Sequence, residues 1–244
     1  MVEVAANIEE FCSYFTGQAQ VIDALDLNQG KLSGLSFEDF QIRYYKKVLF
    51  VTAIDTLAGV RSAEVNYPKL WQQNRDRFIR FVKEYSKWNN GDLISVPFLY
   101  DQLNSHKGCR GELIDYLKNR LNQFGINFGS VGISDMDVKS NLLLSLAKDE
   151  KEERVIRDYQ HYSILYRYRN YLIHESREPG RGMEGIGSDE PYYHQYRDDE
   201  KWHLIYPTGL FQTLLIQSIK NLKEYLLKNR LDPFKLLKED ISRW

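Results

Sequence analysis

Apolar residues recur at steps of three and four along most of this chain, and that period specifies amphipathic helices. The clearest run lies within 36–64, where Phe40, Tyr44, Val48, Val51, Ile54 and Ala58 form one stripe. Ser36 followed by Asp39 resembles a capping box and sets the expected start of that helix. Asp55 flanks the stripe, where a solvated position is preferred to a buried site carboxylate. A second run, Leu210, Leu214, Ile219, Leu222 and Leu226, predicts a last long helix over 209–229, started by Pro207-Thr208. Pro233 then opens a short C-terminal tail. Residues 1–16 read as a shorter helix with Val4, Ile8, Phe11 and Phe15 on one side, and 17–34 as a weaker, turn-prone stretch.

The middle of the chain is read by the same rules. A helix is expected over 70–88, with Phe78, Phe81, Val82 and Tyr85 in the core. Arg77, Arg80 and Glu84 suit a charged flank better than a phosphate contact. Asn89-Asn90-Gly91 ends that helix, because these residues tolerate left-handed backbone. Pro97 makes 93–103 a loop with a short extended piece, and Leu113, Leu117 and Leu121 return the chain to a helix over 110–124. Gly125, Gly129 and Gly132 lack the Lys-Ser or Lys-Thr ending of a phosphate cradle, so 125–135 reads as a loop. A short apolar helix over 138–148 precedes a long one over 151–175, whose buried side holds Ile164, Leu165, Tyr168, Tyr171 and Leu172. Pro179 and Gly180, Gly182, Gly185 and Gly187 impose a loop. Alternation in Tyr192–Arg197 and Lys201–Tyr206 predicts a β-hairpin. The expected fold is all-α with a small β-hairpin insertion before the last long helix. Residues 1–35 form a helix and loop packing on a helical domain of 36–244.

Charge and composition narrow the function. A formal net charge of −1 over 244 residues excludes a generally basic nucleic-acid binder and leaves only local patches for anions. The 17 Tyr raise the aromatic share to 14%, and packing accounts for them better than base stacking. Cys12 and Cys109 match neither a metal-ligand spacing nor a disulfide framework. No signal-like segment or run long enough for a bilayer is present, so a cytoplasmic protein with no cofactor, no metal and no membrane partner is expected.

One stretch concentrates reactive side chains: Tyr166-Arg167-Tyr168-Arg169-Asn170-Tyr171-Leu172-Ile173-His174-Glu175. Five residues of helix turn roughly 140° beyond a full circle, so Arg169 and His174 do not share one face of an undisturbed helix. Either the helix loosens near His174 or two copies bring their motifs to a shared groove. A His can take a proton from a ribose 2′-OH or give one to a leaving 5′-oxygen, and an Arg can hold the scissile phosphate. The plainer alternative is an Arg and a His that satisfy carbonyls at a helix end.

Arg169 to His174 resembles the R-x(4–6)-H motif of the HEPN superfamily, with the polar residue favoured there, Asn170, directly after the Arg. The surroundings are similar too: a long helix, a loop and hairpin, then another apolar helix. The resemblance implies an antiparallel HEPN-like helical bundle over about 36–230, and a metal-independent endoribonuclease acting in a toxin–antitoxin, antiviral defence or stress setting. It assigns phosphate stabilisation to Arg169, orientation to Asn170 and general acid/base work to His174. Tyr166, Arg167 and Arg177 are its RNA-binding candidates, with Tyr171 more a core residue. With one motif per chain, it implies a homodimer with a composite site, and leaves room for an antitoxin or activator protein. A toxin subgroup carries Tyr two residues after the His; Ser176 stands there and argues against that subgroup. His194 and His203 on the hairpin are read as structural. The alternative is a non-catalytic HEPN-like module that binds nucleotide, RNA or a protein partner.

Overall fold

The long apolar stripes do become helices, but several short segments between them fold otherwise than their local pattern predicts. The computed structural model describes residues 2–26, 38–63, 67–70, 72–105, 111–125, 129–180, 184 and 189–241. Among these residues the chain is mainly helical, with small antiparallel sheets. In chain order the elements begin with α1 (Val2–Asp23), α2 (Glu38–Arg61), α3 (Asn74–Tyr85), a 3-10 turn at Asn89–Asp92 and β1 (Leu93–Ile94). There follow α4 (Val96–Ser105), α5 (Glu112–Asn122), β2 (Ser130–Gly132), α6 (Ile133–Met136), β3 (Val138–Lys139) and α7 (Ser140–Leu144). The chain continues through α8 (Glu150–Asp158), α9 (His161–His174), β4 (Tyr192–Tyr196), β5 (Asp199–Ile205), α10 (Thr208–Asn229) and α11 (Pro233–Ile241). No helix among the described residues is long and apolar enough to cross a membrane.

The chain divides into two compact units. Met1–Trp88, Leu172–Arg177 and Thr208–Trp244 make the first, and Asn89–Tyr171 with Glu178–Pro207 make the second. The boundary falls inside α9, after Tyr171.

In the first unit α10 packs on α1 and α2 and buries Leu210, Leu214, Ile219, Leu222 and Leu226, the predicted stripe. α1 runs on through Gly17 to Asp23, because Ala19 and Ile22 continue the line of Phe11 and Phe15 into the core. The buried stripe of α2 lies further along than expected. Phe50, Val51, Ile54, Leu57 and Ala58 are all buried, whereas Phe40 is 39% exposed. Ser36 of the expected capping box lies outside the described residues. Phe78, Phe81, Val82 and Tyr85 of α3 are buried as predicted, and Arg80 pairs with Glu84 at 2.7 Å on the exposed flank. The left-handed residue after α3 is Lys87, φ 54°, not one of Asn89-Asn90-Gly91, which form the 3-10 turn. The expected tail after Pro233 is α11, whose Phe234 ring meets Phe11 at 5.9 Å. At the end of α2 the Arg61 guanidinium lies 4.0 Å from the Tyr225 ring centre and 4.6 Å from that of Tyr67. It donates to the hydroxyls of Tyr67, at 2.7 Å, and Tyr85, so one cation ties α2, α3 and α10 together. Cys12 is buried in α1, and desolvation pushes its thiol up to about 11, which makes it a packing residue.

The second unit differs more from its sequence reading. Pro97 lies in the first turn of α4, where a missing N–H costs nothing, so 93–103 is a two-residue strand and a helix. The stretch 125–135 supplies β2 and α6, and 138–148 supplies β3 and α7. β1 pairs antiparallel with β3, Leu93 opposite Lys139. The predicted hairpin forms and gains a third strand in the order β2-β4-β5, with Val131 opposite Tyr193 and His194 opposite His203. The expected helix over 151–175 is two helices. It breaks at Tyr159–Gln160, where the Tyr159 carbonyl accepts from the Ser95 N–H at 3.0 Å and Gln160 bridges Ile94. Close packing is visible at Gly91, where a Cβ would lie 2.2 Å from the Tyr162 ring. A core of Ile94, Leu99, Leu117, Leu143 and Ile156 fills the helical side.

A polar cluster runs through this second unit. Asp137, which follows α6, accepts from the Val96 N–H at 2.9 Å and from the Tyr193 hydroxyl at 2.9 Å. His161 Nε2 stands 2.6 Å from the same carboxylate, and neither side chain is exposed at all. In the neutral imidazole that arrangement puts the proton on Nε2 and leaves Nδ1 to accept from the Tyr206 hydroxyl at 2.9 Å. Ser95 Oγ completes the cluster, 2.7 Å from the Tyr193 hydroxyl. Removing one member strands the others in an apolar surrounding. Asp137→Ala is therefore expected to lower stability by about 3 kcal/mol, read as an earlier urea midpoint. A loss under about 1 kcal/mol would show that the cluster is not structural.

Candidate functional site

Helix α9 carries the motif residues, and its local sequence explains which of them are held. Leu165, Tyr168 and Leu172 are buried, so the residues between them occupy flanks. Arg169 and Asn170 are half-buried, and Arg169 Nη1 donates to Asn170 Oδ1 at 3.0 Å. The Arg169 guanidinium also lies 5.8 Å from the Tyr166 ring centre, within cation–π range. Tyr166, Arg169 and Asn170 thus form one group within the second unit. The amide oxygen fixes part of the guanidinium fork, which turns a mobile cation into an oriented one.

His174 belongs to the first unit, and it is exposed. The helix does not loosen before it: α9 is regular to His174, and the left-handed residue is Ser176, φ 52°. Within the same unit the Tyr44 hydroxyl donates to the Leu172 carbonyl at 2.9 Å, so a long-range contact anchors this last turn. Arg177 is exposed and pairs with Glu175 at 2.7 Å, a surface ion pair of small energy.

Arg167 is exposed on the face of α9 that also presents Ile164, Tyr168 and Tyr171. One guanidinium N–H donates to the Asp158 carbonyl at 2.9 Å, and the group lies 4.6 Å from the Tyr159 ring centre. Tyr171, expected in the core, is half-buried and lines a pocket. Of the hairpin histidines, His194 Nδ1 lies 2.9 Å from Ser130 Oγ and His203 Nε2 lies 2.9 Å from Asp199 Oδ2. Among the described residues no three His, Cys, Asp or Glu side chains gather as a metal site, and Cys109 lies outside those residues.

Comparison with protein-family profiles, with curated proteins and with solved structures finds no match for this chain. Its site is therefore read from its own chemistry.

Sequence reasoning did not name Asp137, His161 or Glu178 as placed residues. The signals existed only in part: Glu178 ends the Glu-Ser-Arg-Glu run, and its burial depends on the Tyr168 hydroxyl that donates to it. Burial first, then the Glu178 charge, pushes the Tyr168 phenol well above its ordinary value. Burial does the same for Tyr193 and Tyr206, aided by Asp137. The sign of the consequence is fixed. An unfolded tyrosine ionises near pH ~10 while these folded ones stay neutral, so their contribution is complete below that pH and declines above it. Urea midpoints are expected to hold steady from neutral pH to about 9 and to fall beyond about 10. The fall should be smaller in Tyr168→Phe than in wild type, and an equal fall would contradict the assignment.

Proposed function

We propose that this chain is a HEPN-type helical protein that cleaves RNA by attack of a ribose 2′-OH on the adjacent phosphate. The observation that carries the reading is the Arg169–Asn170 pair: a half-buried guanidinium oriented by the neighbouring amide, on a helix whose last residue is an exposed His174. The order of residues along this helix resembles the HEPN motif, and the mainly helical fold with a hairpin before the last long helix is compatible with the same reading.

In this proposal His174 takes the proton from the 2′-oxygen as that oxygen attacks phosphorus, or gives one to the departing 5′-oxygen. The two roles need two imidazoles or one that changes state between steps. A homodimer with a composite site supplies two. In this reading the Arg169 Nη donors bind the non-bridging oxygens and stabilise the charge that builds on them in the transition state. Asn170 holds the guanidinium in plane. The bond from phosphorus to the 5′-oxygen breaks, and the products are a 2′,3′-cyclic phosphate and a 5′-hydroxyl. Tyr166 contributes a ring face beside Arg169, and Arg177 contributes charge at the path of the strand. A toxin–antitoxin, antiviral or stress setting, with an antitoxin or activator as partner, follows from this reading.

A non-catalytic module that binds nucleotide, RNA or protein is the second reading, and the same variants separate the two. Wild type, Arg169→Ala, Asn170→Ala and His174→Ala would be compared on total RNA with EDTA present, after light scattering shows equal oligomeric states. His174→Ala and Arg169→Ala are expected to lose about 100-fold or more in rate, and Asn170→Ala about 10-fold. Equal rates for wild type and His174→Ala would sink the assignment. Binding without cleavage by every protein would favour the module.

A further inference from the structure

Two helix ends in the first unit share one backbone step and close in different ways. α10 is followed by Arg230 in the left-handed region, φ 54°, and α9 by Ser176, φ 52°. Behind Arg230 the chain closes on itself. The Arg230 N–H returns to the Leu227 carbonyl at 3.3 Å, and the Leu231 N–H to the Leu226 carbonyl at 3.0 Å. These are the two bonds of a Schellman end. Leu226 stands four residues before the left-handed residue, and its counterpart in α9 is Leu172. There the donor is a side chain from another helix: the Tyr44 hydroxyl of α2 reaches the Leu172 carbonyl at 2.9 Å. Among the described residues no backbone N–H from beyond α9 joins it on that carbonyl.

The exchange matters because of what this turn carries. Leu172 is buried, whereas His174, two residues on, is the last residue of α9 and exposed. His174 therefore lies between the carbonyl that Tyr44 holds and the left-handed step that stops the helix. A residue with a side chain takes that step at a steric cost, so the turn keeps its shape only through the bonds that close it. The donor is itself well held. Tyr44 is half-buried, and its ring meets that of Tyr45 at 5.4 Å and 66°. A regular helix, rather than a loop, thus sets the hydroxyl that closes the His174 turn.

We propose that Tyr44 is a positioning residue for His174: its hydroxyl closes the end of α9 from outside and so fixes the direction in which the imidazole is presented. The inference rests on the reading of His174 as the acid/base group. Tyr44 acts through the turn and not on the substrate. A general acid or base must stand within hydrogen-bond reach of the proton it moves, and a small misplacement is costly in rate. Without the hydroxyl the Leu172 carbonyl turns to water and the last turn samples other directions. The imidazole then meets the reacting oxygens for a smaller share of the time, while the groups that bind RNA keep their places. The loss falls on kcat rather than on KM.

Tyr44→Phe tests this, since it removes one oxygen and leaves the ring against Tyr45. Tyr45→Phe, one residue along and 49% exposed in wild type, is the control. Each protein is read in two ways: kcat and KM on a defined RNA with EDTA present, and the proton–carbon spectrum of the five histidine rings, with His174 assigned from His174→Ala. Tyr44→Phe is expected to lower kcat about tenfold and to leave KM within about twofold. It should shift or broaden the His174 signal while those of His161, His194 and His203 stay in place. Tyr45→Phe should match wild type in both readouts. A Tyr44→Phe protein with wild-type kcat, with a loss in KM alone, or with an unmoved His174 signal would overturn the proposal. So would a shift of all the histidine signals together, which would mark a general loss of structure. The spectrum needs no cleavage. If wild type cuts no RNA, the ribonuclease reading falls by itself, and a His174 signal that alone moves in Tyr44→Phe still assigns the turn to Tyr44.

Discussion

A single buried carboxylate organises the second unit. Asp137 receives the Val96 backbone N–H, the Tyr193 hydroxyl and the His161 ring, and through His161 it reaches Tyr206. These groups come from the start of α4, from β4, from the start of α9 and from the residue that follows β5. A charge or strong acceptor removed from water is costly unless its hydrogen-bonding capacity is met, so the four segments are specified together rather than one by one. The break between α8 and α9 is a consequence. A continuous helix would keep the Tyr159 carbonyl in its own ladder, whereas here that carbonyl takes the Ser95 N–H and sets Ser95 beside Tyr193. Burial of the helical core supplies the bulk of the stability of this unit, and the polar cluster decides which arrangement of strands and helices that core adopts.

The first unit is held in a different way. Its long helices bury continuous stripes, and its polar tie is a cation among tyrosine rings rather than an anion among donors. Arg61 at the end of α2 meets Tyr67, Tyr85 and Tyr225, and Asn221 of α10 donates to the Tyr85 carbonyl at 2.6 Å. Surface pairs such as Lys223 with Glu9, at 2.6 Å, add little by comparison. The high tyrosine content thus has a structural explanation in both units: Tyr85 and Tyr225 shield a guanidinium, while Tyr193 and Tyr206 complete a carboxylate cluster.

What the sequence revealed follows from the range of the interactions involved. α10 agrees with its periodicity to within one residue, and the apolar side of α3 and the hairpin are as expected, because each rests on a pattern repeated within its own segment. β1, β2 and β3 hold two or three residues each, too few for a period to register, and their partners lie tens of residues away. Pro97 was misleading because its effect depends on whether it opens a helix or interrupts one. Phe40 was misread because position on the stripe does not reveal where the partner helix ends. At the candidate site, Asn170 had an orienting role only through the family resemblance; adjacent side chains on a helix do not ordinarily face each other, so its contact with Arg169 is seen only in the structure. The pocket that Arg167 lines was not legible: it is assembled from α4, α9, the Pro179-Gly180 turn and β5, and only the fold brings these together.

The functional account rests on the chemistry that an oriented guanidinium and an exposed imidazole can perform on RNA, and that chemistry leaves a signature on the product. The decisive measurement is the identity of the 3′ ends made by purified wild-type protein acting on a defined RNA with EDTA present. Ends carrying a 2′,3′-cyclic phosphate, with 5′-hydroxyls on the matching fragments, are the predicted result, since only attack by the ribose oxygen yields them. Fragments with 3′-hydroxyl and 5′-phosphate ends would mean that water attacks instead, and would contradict the mechanism assigned to Arg169 and His174.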